Sequence, residues 1–315
     1  MCVTCGCSDG AEPTLTNLAT GETTSLADPT AEHTHTLPNG QTLTHRHGPP
    51  DNASHAHNHD HGHDHGHDHD HNHPHSPNDP PHSHPDSQLP TPDSRLPHSL
   101  HTLELNVLAK NDLIAAQNRG WFEGRDVLAL NLVSSPGAGK TTLLTQTLND
   151  LKDRLSFAVI EGDQATLHDA ERIRATGCGV VQVNTGTGCH LEAEMVRRGV
   201  QTLQPPAHSV LMIENVGNLV CPALFDLGER AKVAILSVTE GDDKPLKYPH
   251  MFRASQIMLL NKIDLLPYVS FDVDRCIAYA RQVNPDIQVF PLSATSGEGL
   301  DHWYAWLLDQ VNTLK

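Results

Sequence analysis

The distribution of hydrophobic positions divides the chain into a polar first third and an alternating remainder. Apolar runs separated by segments with helical spacing predict β-strands at 127–133, 157–160, 180–183, 210–213, 233–238, 257–260 and 287–290. This order is typical of a mostly parallel sheet covered by helices on both faces. We therefore predict an α/β fold with about seven strands, in which ligand-binding loops follow the carboxyl ends of the strands.

A further helix is predicted before the first of these strands, over residues 103–118. One side of it is mostly apolar and is expected to pack on the domain. Gly120 is expected to end the helix. The side expected to pack carries Leu105, Leu108, Asp112 and Ala115.

The first hundred residues have a composition that does not support a hydrophobic core. Of the 24 histidines, 19 lie between His33 and His101, where proline is frequent and aromatic residues are absent. Such a segment is expected to be disordered. We predict three parts: a terminal cysteine motif at residues 1–7, a disordered linker with a histidine-rich tract at residues 8–101, and one globular domain at residues 102–315.

Charge and composition exclude several classes of protein. A net charge of −17 argues against a nucleic-acid partner, because phosphate backbones are bound by stripes of Lys and Arg. No apolar run approaches the roughly 20 residues that cross a bilayer, and the N-terminus lacks the features of a signal peptide. We expect no membrane insertion and a cytoplasmic location, where the seven cysteines suit metal binding better than disulfides.

A phosphate-binding loop lies between the first predicted strand and a helical segment. The sequence SSPGAGKTT at Ser134–Thr142 matches GxxxxGK[ST], except that Ser134 replaces the first glycine. Lys140 can supply charge to the β- and γ-phosphates, and the Thr141 hydroxyl can bind Mg²⁺. A chance glycine-rich turn is the alternative, but the flanking strand and helix favour a P-loop NTPase. The predicted phosphate contacts are Gly137, Ala138, Gly139, Lys140, Thr141 and Thr142.

Two carboxylates follow later strands. Asp163, at the end of the second predicted strand, can hold Mg²⁺ or orient the water that attacks the γ-phosphate, although a simple turn is the alternative. Lys140 and Asp163 are therefore the candidate catalytic residues. Glu214 stands where a Walker-B carboxylate is expected, and the predicted magnesium ligands are Thr141, Asp163 and Glu214.

The motif Asn-Lys-Ile-Asp follows the sixth predicted strand and indicates guanine specificity. The Asp264 carboxylate can accept both N–H donors at the edge of guanine, a pair that adenine lacks. Residues 293–295, after the last strand, stand where a backbone contact to the guanine oxygen is expected. These motifs predict hydrolysis of GTP to GDP and phosphate, with the base bound by Asn261, Lys262, Asp264, Ser293 and Ala294.

Three groups of residues are candidate metal ligands. The terminal cysteines Cys2, Cys5 and Cys7 can wrap one soft or borderline ion, with an oxidation-prone terminus as the alternative. The histidine-rich tract should buffer several divalent ions, with an expression tag or a solvated linker as alternatives. A third group after later strands forms an open site that water or a second subunit of a two-fold dimer would complete, unless its cysteines are structural. That third group is Cys189, His190 and Cys221, and the tract contains His55, His57, His59, His61, His63, His65, His67, His69, His71, His73 and His75.

These motifs together resemble the hydrogenase nickel-incorporation GTPases, the HypB family, within the SIMIBI class of P-loop GTPases. The resemblance extends from about Leu103 to the C-terminus, includes the charged segment Gly241–Pro249, and adds the terminal cysteines. It implies a tight nickel site at the terminal cysteines and a nickel or zinc site at Cys189, His190 and Cys221, located at a dimer interface. The charges of residues 242–247 are expected near the nucleotide and the dimer partner.

The resemblance also implies a biological role. The chain is expected to form a GTP-dependent homodimer that stores nickel and delivers it, through the small accessory protein HypA, to the large-subunit precursor of [NiFe]-hydrogenase. Because Cys221 follows the Glu214 loop, nucleotide state is expected to change the geometry of the metal site. A metallochaperone GTPase for urease or a cobalamin enzyme, and a protein that only stores nickel, are the alternatives.

Overall fold

The computed structural model describes residues 13–26, 33–36, 42–45, 100–163 and 168–314. The chain divides into two units, residues 28–98 and the remainder. In the first of these, β3 (His33–Thr36) and β4 (Thr42–His45) form an antiparallel pair with His33 opposite His45.

The other unit is built on a nine-stranded sheet. Its parallel strands are β5 (Leu128–Ser134), β6 (Phe157–Asp163), β7 (Gly179–Asn184), β8 (Val210–Glu214), β9 (Ala231–Ser237), β10 (Ile257–Asn261) and β11 (Gln288–Pro291). Two antiparallel strands, β1 (Thr14–Asn17) and β2 (Thr23–Ser25), complete the order β11-β10-β9-β5-β8-β6-β7-β1-β2. The mostly parallel α/β fold with seven predicted strands is confirmed, and β5 occupies its interior.

The β1–β2 hairpin is an addition that the hydrophobic pattern did not predict, because it lies within the segment 8–101 interpreted as a linker. β1 pairs antiparallel with β7, with Leu15 opposite Val183. Leu15 is 2% exposed and Leu26 is 9% exposed, and these two side chains join the core beneath the sheet. Two leucines in a polar segment give too weak a period to indicate a strand. The open edge of β7 supplies the backbone partners that order the hairpin.

Helices cover both faces of the sheet. They are α1 (Leu100–Glu123), α2 (Lys140–Leu151), α3 (His168–Arg174), α4 (Ala193–Leu203), α5 (Cys221–Leu224), α6 (Lys244–Lys247), α7 (Pro249–Ala254), α8 (Val273–Val283) and α9 (Leu300–Thr313), with a 3-10 helix at Ile263–Tyr268. Alternate residues of β5 face opposite cores, so that Leu130 packs with α2 and α9 while Ala129 packs on the side of α1 and α4. Among the described residues, no helix is long and apolar enough to cross a membrane.

Helix α1 differs from its prediction in length and in the side that packs. It runs to Glu123, and Gly120 lies inside it. Asp112, expected on the packed side, is exposed, whereas Asn111 and Asn118 are each 5% exposed. The helix is anchored by amide side chains that find backbone partners on other elements, and a hydrophobic pattern cannot indicate such contacts.

Candidate nucleotide and metal sites

The phosphate-binding loop joins β5 to α2 in a conformation that requires glycine. Gly137 and Gly139 have φ values of 76° and 95°, in the left-handed region that favours glycine. A Cβ on Gly139 would lie 2.6 Å from Nδ2 of Asn261, so the loop and the guanine motif are in close contact. Lys140 Nζ donates to Ser134 Oγ at 3.0 Å. The serine that replaces the first glycine therefore holds the side chain of Lys140, the predicted phosphate-binding lysine.

Two of the three predicted magnesium ligands, Thr141 and Glu214, are in contact at the carboxyl end of the central strands. Thr141 Oγ1 donates to Glu214 Oε1 at 2.7 Å, and both residues are buried. Asp163 is the last residue of β6, where its backbone pairs with Asn184 of β7, and the description of Asp163 is limited to its backbone. A hydroxyl and a carboxylate are ligands that suit Mg²⁺.

A second buried carboxylate at this edge was not predicted. Glu161 of β6 lies opposite Glu214 of β8 in the parallel register and is 3% exposed. Burying a carboxylate is costly unless it is compensated by hydrogen bonds, opposite charge or metal. An acidic residue directly after the apolar run 157–160 was the signal in the sequence that could have identified it.

The guanine motif ties three loops together through Asn261, which is 1% exposed. Asn261 Nδ2 donates to the Ala138 carbonyl at 2.9 Å, and its Oδ1 accepts from the N–H groups of Lys262 at 2.8 Å and Ala294 at 3.1 Å. Lys262 Nζ donates to the Gly137 carbonyl at 2.7 Å. The phosphate loop, the Asn-Lys-Ile-Asp motif and the loop after β11 are thus held as one unit.

The predicted guanine-recognition residue Asp264 carries an acceptor atom without a hydrogen-bond partner among the described residues. This atom, Oδ1, is buried, which fits a role as acceptor for guanine N–H groups. Ser293 Oγ accepts from the Ser296 N–H at 3.0 Å and keeps that loop closed. Thr142, a predicted phosphate contact, is hydrogen-bonded to α3, because its Oγ1 accepts from Arg172 at 3.3 Å.

The three candidate metal ligands after β7 and β8 come together. The ligand atoms of Cys189, His190 and Cys221 all lie within 4.8 Å of one another. Cys189 Sγ is 3.6 Å from His190 Nδ1, and the imidazole packs on the Phe225 ring with 3.9 Å between centroids. Burial lowers the pKa of His190 to about 4. The imidazole is therefore neutral at pH 7, which is the form that binds metal ions.

The segment between Glu214 and Cys221 connects the two sites. A Cβ on Gly217 would lie 3.2 Å from Pro136 of the phosphate loop. Leu191 N donates to Asn215 Oδ1 at 3.0 Å, and Asn218 Nδ2 donates to the Cys189 carbonyl at 3.3 Å. The same short segment therefore contacts the phosphate loop and the loop that carries Cys189 and His190.

The charged segment 242–247 makes ion pairs within the chain. Asp242 pairs with Arg275 of α8, and Lys247 pairs with Asp243 at 2.7 Å. Its predicted proximity to the nucleotide and to a dimer partner stays a prediction.

Two of the four described cysteines are not part of this cluster. Cys178 and Cys276 belong to the hydrophobic clusters, and burial raises the pKa of each thiol to about 12, so both stay protonated. The terminal cysteines Cys2, Cys5 and Cys7 and the histidine-rich tract lie outside the described residues.

Comparisons with known proteins agree with this geometry. Residues 128–291 match the family described as CobW/HypB/UreG, nucleotide-binding domain. The chain is 62% identical over 208 residues to hydrogenase maturation factor HypB of Escherichia coli (strain K12), covering 66% of this chain and 72% of that protein. It is 63% identical over 205 residues to HypB of Azotobacter chroococcum mcd 1, covering 65% of this chain and 67% of that protein.

A solved structure also matches the chain. A crystal structure of HypB from Helicobacter pylori in complex with nickel matches with a TM-score of 0.61 and 37% identity, over 65% of this chain and 96% of that chain. The P-loop α/β fold, the nucleotide-binding motifs and the level of identity agree. The chain belongs to the HypB hydrogenase maturation factors of the CobW/HypB/UreG nucleotide-binding family.

Proposed function

We propose that the protein is a GTP-hydrolysing nickel metallochaperone that stores nickel and delivers it during maturation of [NiFe]-hydrogenase. The observation that carries this proposal is the direct connection between the phosphate loop and the cluster of Cys189, His190 and Cys221 through residues 214–221. A protein that only bound nucleotide would not need metal ligands at the end of the segment 214–221.

The nucleotide reaction is assigned to side chains at the carboxyl ends of β5, β6 and β8. Lys140 binds the β- and γ-phosphates, while Asp264 selects guanine by accepting its N–H groups. Asp163 orients the attacking water. Thr141, Asp163 and Glu214 would hold Mg²⁺, which supplies positive charge to the phosphates when bound.

The cargo is assigned to the thiolate and imidazole cluster. Two cysteines and a neutral histidine provide three soft or borderline ligands, which suit nickel or zinc. A second copy of the chain related by a two-fold axis would complete the coordination and make the protein a homodimer. The nickel complex of the Helicobacter pylori relative supports nickel as the cargo. The terminal cysteines and the histidine-rich tract would act as a tight site and a store.

Nucleotide state controls cargo affinity in this mechanism. When GTP is bound, Glu214 and Gly217 move toward the γ-phosphate, and Asn215 and Asn218 transmit that displacement to the Cys189 loop by their hydrogen bonds. Hydrolysis returns the segment and resets the site for transfer to HypA and the hydrogenase large-subunit precursor. A coupling of about 1–3 kcal/mol between the two sites is sufficient for such a switch.

The coupling is tested by measuring nickel affinity of the full chain with GDP and with a non-hydrolysable GTP analogue. The variant Cys189→Ser, in the same chain, separates this site from the terminal cysteines and the tract. We expect the wild-type affinity to differ about 5- to 150-fold between the two nucleotides, and the difference to disappear in Cys189→Ser. Equal nickel affinities of the Cys189 site with the two nucleotides would refute the mechanism.

The biological role is tested by hydrogenase activity in a strain that lacks the gene, with and without added nickel. We expect the full chain to restore activity in both conditions, and a chain lacking residues 33–101 to restore it when nickel is plentiful. Urease activity in the same cells separates the hydrogenase role from the alternative metalloenzyme. If Lys140→Ala, which cannot bind phosphate, restores hydrogenase fully at limiting nickel, storage alone explains the function.

A further inference from the structure

Helix α1 contributes two buried side chains to the surroundings of the metal cluster although none of its described residues is a candidate ligand. Asn111 and Asn118 are each 5% exposed and lie seven positions apart, two helical turns on one face. Burial of a primary amide is favourable only when its donors and acceptor are satisfied. Both side chains are hydrogen-bonded to backbone groups of two other segments of the chain.

One set of partners is the first residue of α4. The Ala193 N–H donates to Asn111 Oδ1 at 2.9 Å, and Asn118 Nδ2 donates to the Ala193 carbonyl at 2.8 Å. Ala193 comes three residues after His190 and is fully buried. The two asparagines therefore hold both backbone groups of the residue at which the Cys189–His190 loop enters its helix.

The second set of partners is the segment that follows Cys221. Asn111 Nδ2 donates to the Asp226 carbonyl at 2.7 Å, and Asn118 Nδ2 donates to the Leu227 carbonyl at 3.0 Å. Arg119 adds two hydrogen bonds to the Asp226 carboxylate at 2.7 and 2.8 Å. This segment directly follows Phe225, whose ring packs against the His190 imidazole.

Helix α1 packs closely against this segment. A Cβ on Gly228 would lie 2.5 Å from the Ala115 carbonyl oxygen and 2.7 Å from the Asn118 Cβ. Both halves of the ligand cluster are thus hydrogen-bonded to the same two side chains, one half through Ala193 and the other through residues 226–227. Helix α1 therefore links the two halves, in addition to the direct hydrogen bonds that Asn215 and Asn218 make between them.

We propose that Asn111 and Asn118 are positioning residues of the metal site, which act by holding the Cys189–His190 loop and the Cys221 segment at the separation that binding requires. The inference rests on the proposed metal-binding role of that cluster. Without the two amides, the loops sample other separations. Metal binding then has to order the loops, and the conformational entropy that is lost lowers the metal affinity. We expect a loss of affinity of about tenfold for each asparagine, which corresponds to about 1.4 kcal/mol and is a part of what its two hydrogen bonds contribute.

The experiment uses the full chain with the terminal cysteines replaced, as Cys2→Ser, Cys5→Ser and Cys7→Ser, so that thiolate-to-metal absorption reports the Cys189 and Cys221 thiolates and not the histidine-rich tract. Co²⁺ alone is titrated into this protein and into the same protein carrying Asn111→Leu or Asn118→Leu. Asn284→Leu is the matched control, because Asn284 also donates to two backbone carbonyls, Phe252 at 3.2 Å and Ser255 at 2.7 Å, and touches none of the ligands.

We expect the midpoint of the thiolate absorption to move to about tenfold higher Co²⁺ in the two α1 variants, while the KM for GTP is unchanged. Asn284→Leu should lower Tm by about as much as the two α1 variants do, and it should leave the Co²⁺ midpoint unchanged. If the α1 variants keep the wild-type midpoint, or if Asn284→Leu shifts it equally, the positioning role is wrong.

Two further variants keep the outcomes separate. Cys189→Ser in the same background should abolish the absorption, and if it does not, the proposed metal site itself fails. If Cys189→Ser abolishes it while the α1 variants are normal, only the positioning role fails. Should either leucine variant not fold, Asn111→Ser and Asn118→Ser remove the same hydrogen bonds with a smaller side chain and take their place.

Discussion

The contacts of Asn261 make Asn261→Ala a sensitive test of how the nucleotide site is assembled. The substitution removes three hydrogen bonds from a residue that is 1% exposed, and it leaves the Ala138 carbonyl and the Ala294 N–H buried without that partner. The bond to Lys262 N is local and contributes least. At about 1 kcal/mol for each bond, with a further desolvation penalty for the orphaned groups, we expect the free energy of unfolding to fall by about 2–4 kcal/mol.

The nucleotide affinity of Asn261→Ala should fall with the stability. Since Asn261 joins the phosphate loop to the loop after β11, its loss frees both before GTP binds, and GTP then has to order them. Urea denaturation of the nucleotide-free chain measures the first effect, and calorimetric titration with GTP measures the second. An unfolding free energy within about 0.5 kcal/mol of wild type, the range of an uninvolved surface substitution, would refute the reasoning.

Asp264→Asn is the matched comparison, because it changes the neighbouring recognition residue without removing a contact. The buried Asp264 Oδ1 has no hydrogen-bond partner among the described residues, so stability should stay within about 0.5 kcal/mol of wild type. GTP affinity should fall about 10²- to 10⁴-fold, because an amide cannot accept both guanine N–H groups. Xanthine nucleotides, which present one donor and one acceptor, should bind better to this variant. An unchanged preference for GTP would place the base elsewhere.

Three further predictions concern stability and the phosphate loop. Gly228→Ala places a Cβ 2.5 Å from the Ala115 carbonyl at a φ of +90°, so thermal unfolding should show a loss of about 2–4 kcal/mol. Gly139→Ala, at a φ of +95° and 2.6 Å from Asn261 Nδ2, should abolish detectable GTP binding in a calorimetric titration while circular dichroism stays unchanged. Burial alone would raise the pKa of Asp226, but hydrogen bonds from Arg119 and the Gly228 N–H lower it below its ordinary value of 3.8. The ion pair between Asp226 and Arg119 therefore stabilises the fold above pH 3.8, and this stabilisation is lost as the pH falls through the lowered pKa. With both side chains about two-fifths exposed, Asp226→Asn should cost about 0.5 kcal/mol at pH 7, and urea curves of the two proteins should converge below pH 3.

Much of the nucleotide site was predictable because its determinants are local. Glycines at positive φ, a lysine and a threonine at the start of a helix, and an Asn-Lys-x-Asp motif each act within a few residues of one strand end. The parallel α/β order follows from apolar runs buried on both faces. Ser134 was visible only as a departure from the motif, and the structure shows it as the hydrogen-bond partner of Lys140.

The pairing of distant segments was not predictable in the same way. Sequence periodicity indicated an apolar face on α1, and Ala115 of that face is buried. The polar Asn111 and Asn118 are buried as well, and their partners lie 75 to 115 residues away. The β1–β2 hairpin depends on the exposed edge of β7. Glu161 acquires its place beside Glu214 only from the register of β6 and β8.

The sequence by itself determined which chemical groups this protein carries: a phosphate loop, a carboxylate predicted to select guanine, and cysteine and histidine side chains predicted to bind metal after two strands. These are properties of residue type and short-range spacing, which the chain carries before it folds. The tertiary structure alone decided that one short segment contacts both the phosphate loop and the Cys189 loop, and that a helix more than 70 residues earlier is hydrogen-bonded to Ala193 and to residues 226–227. That arrangement depends on strand order and on long-range hydrogen bonds between buried groups, which local patterns do not encode.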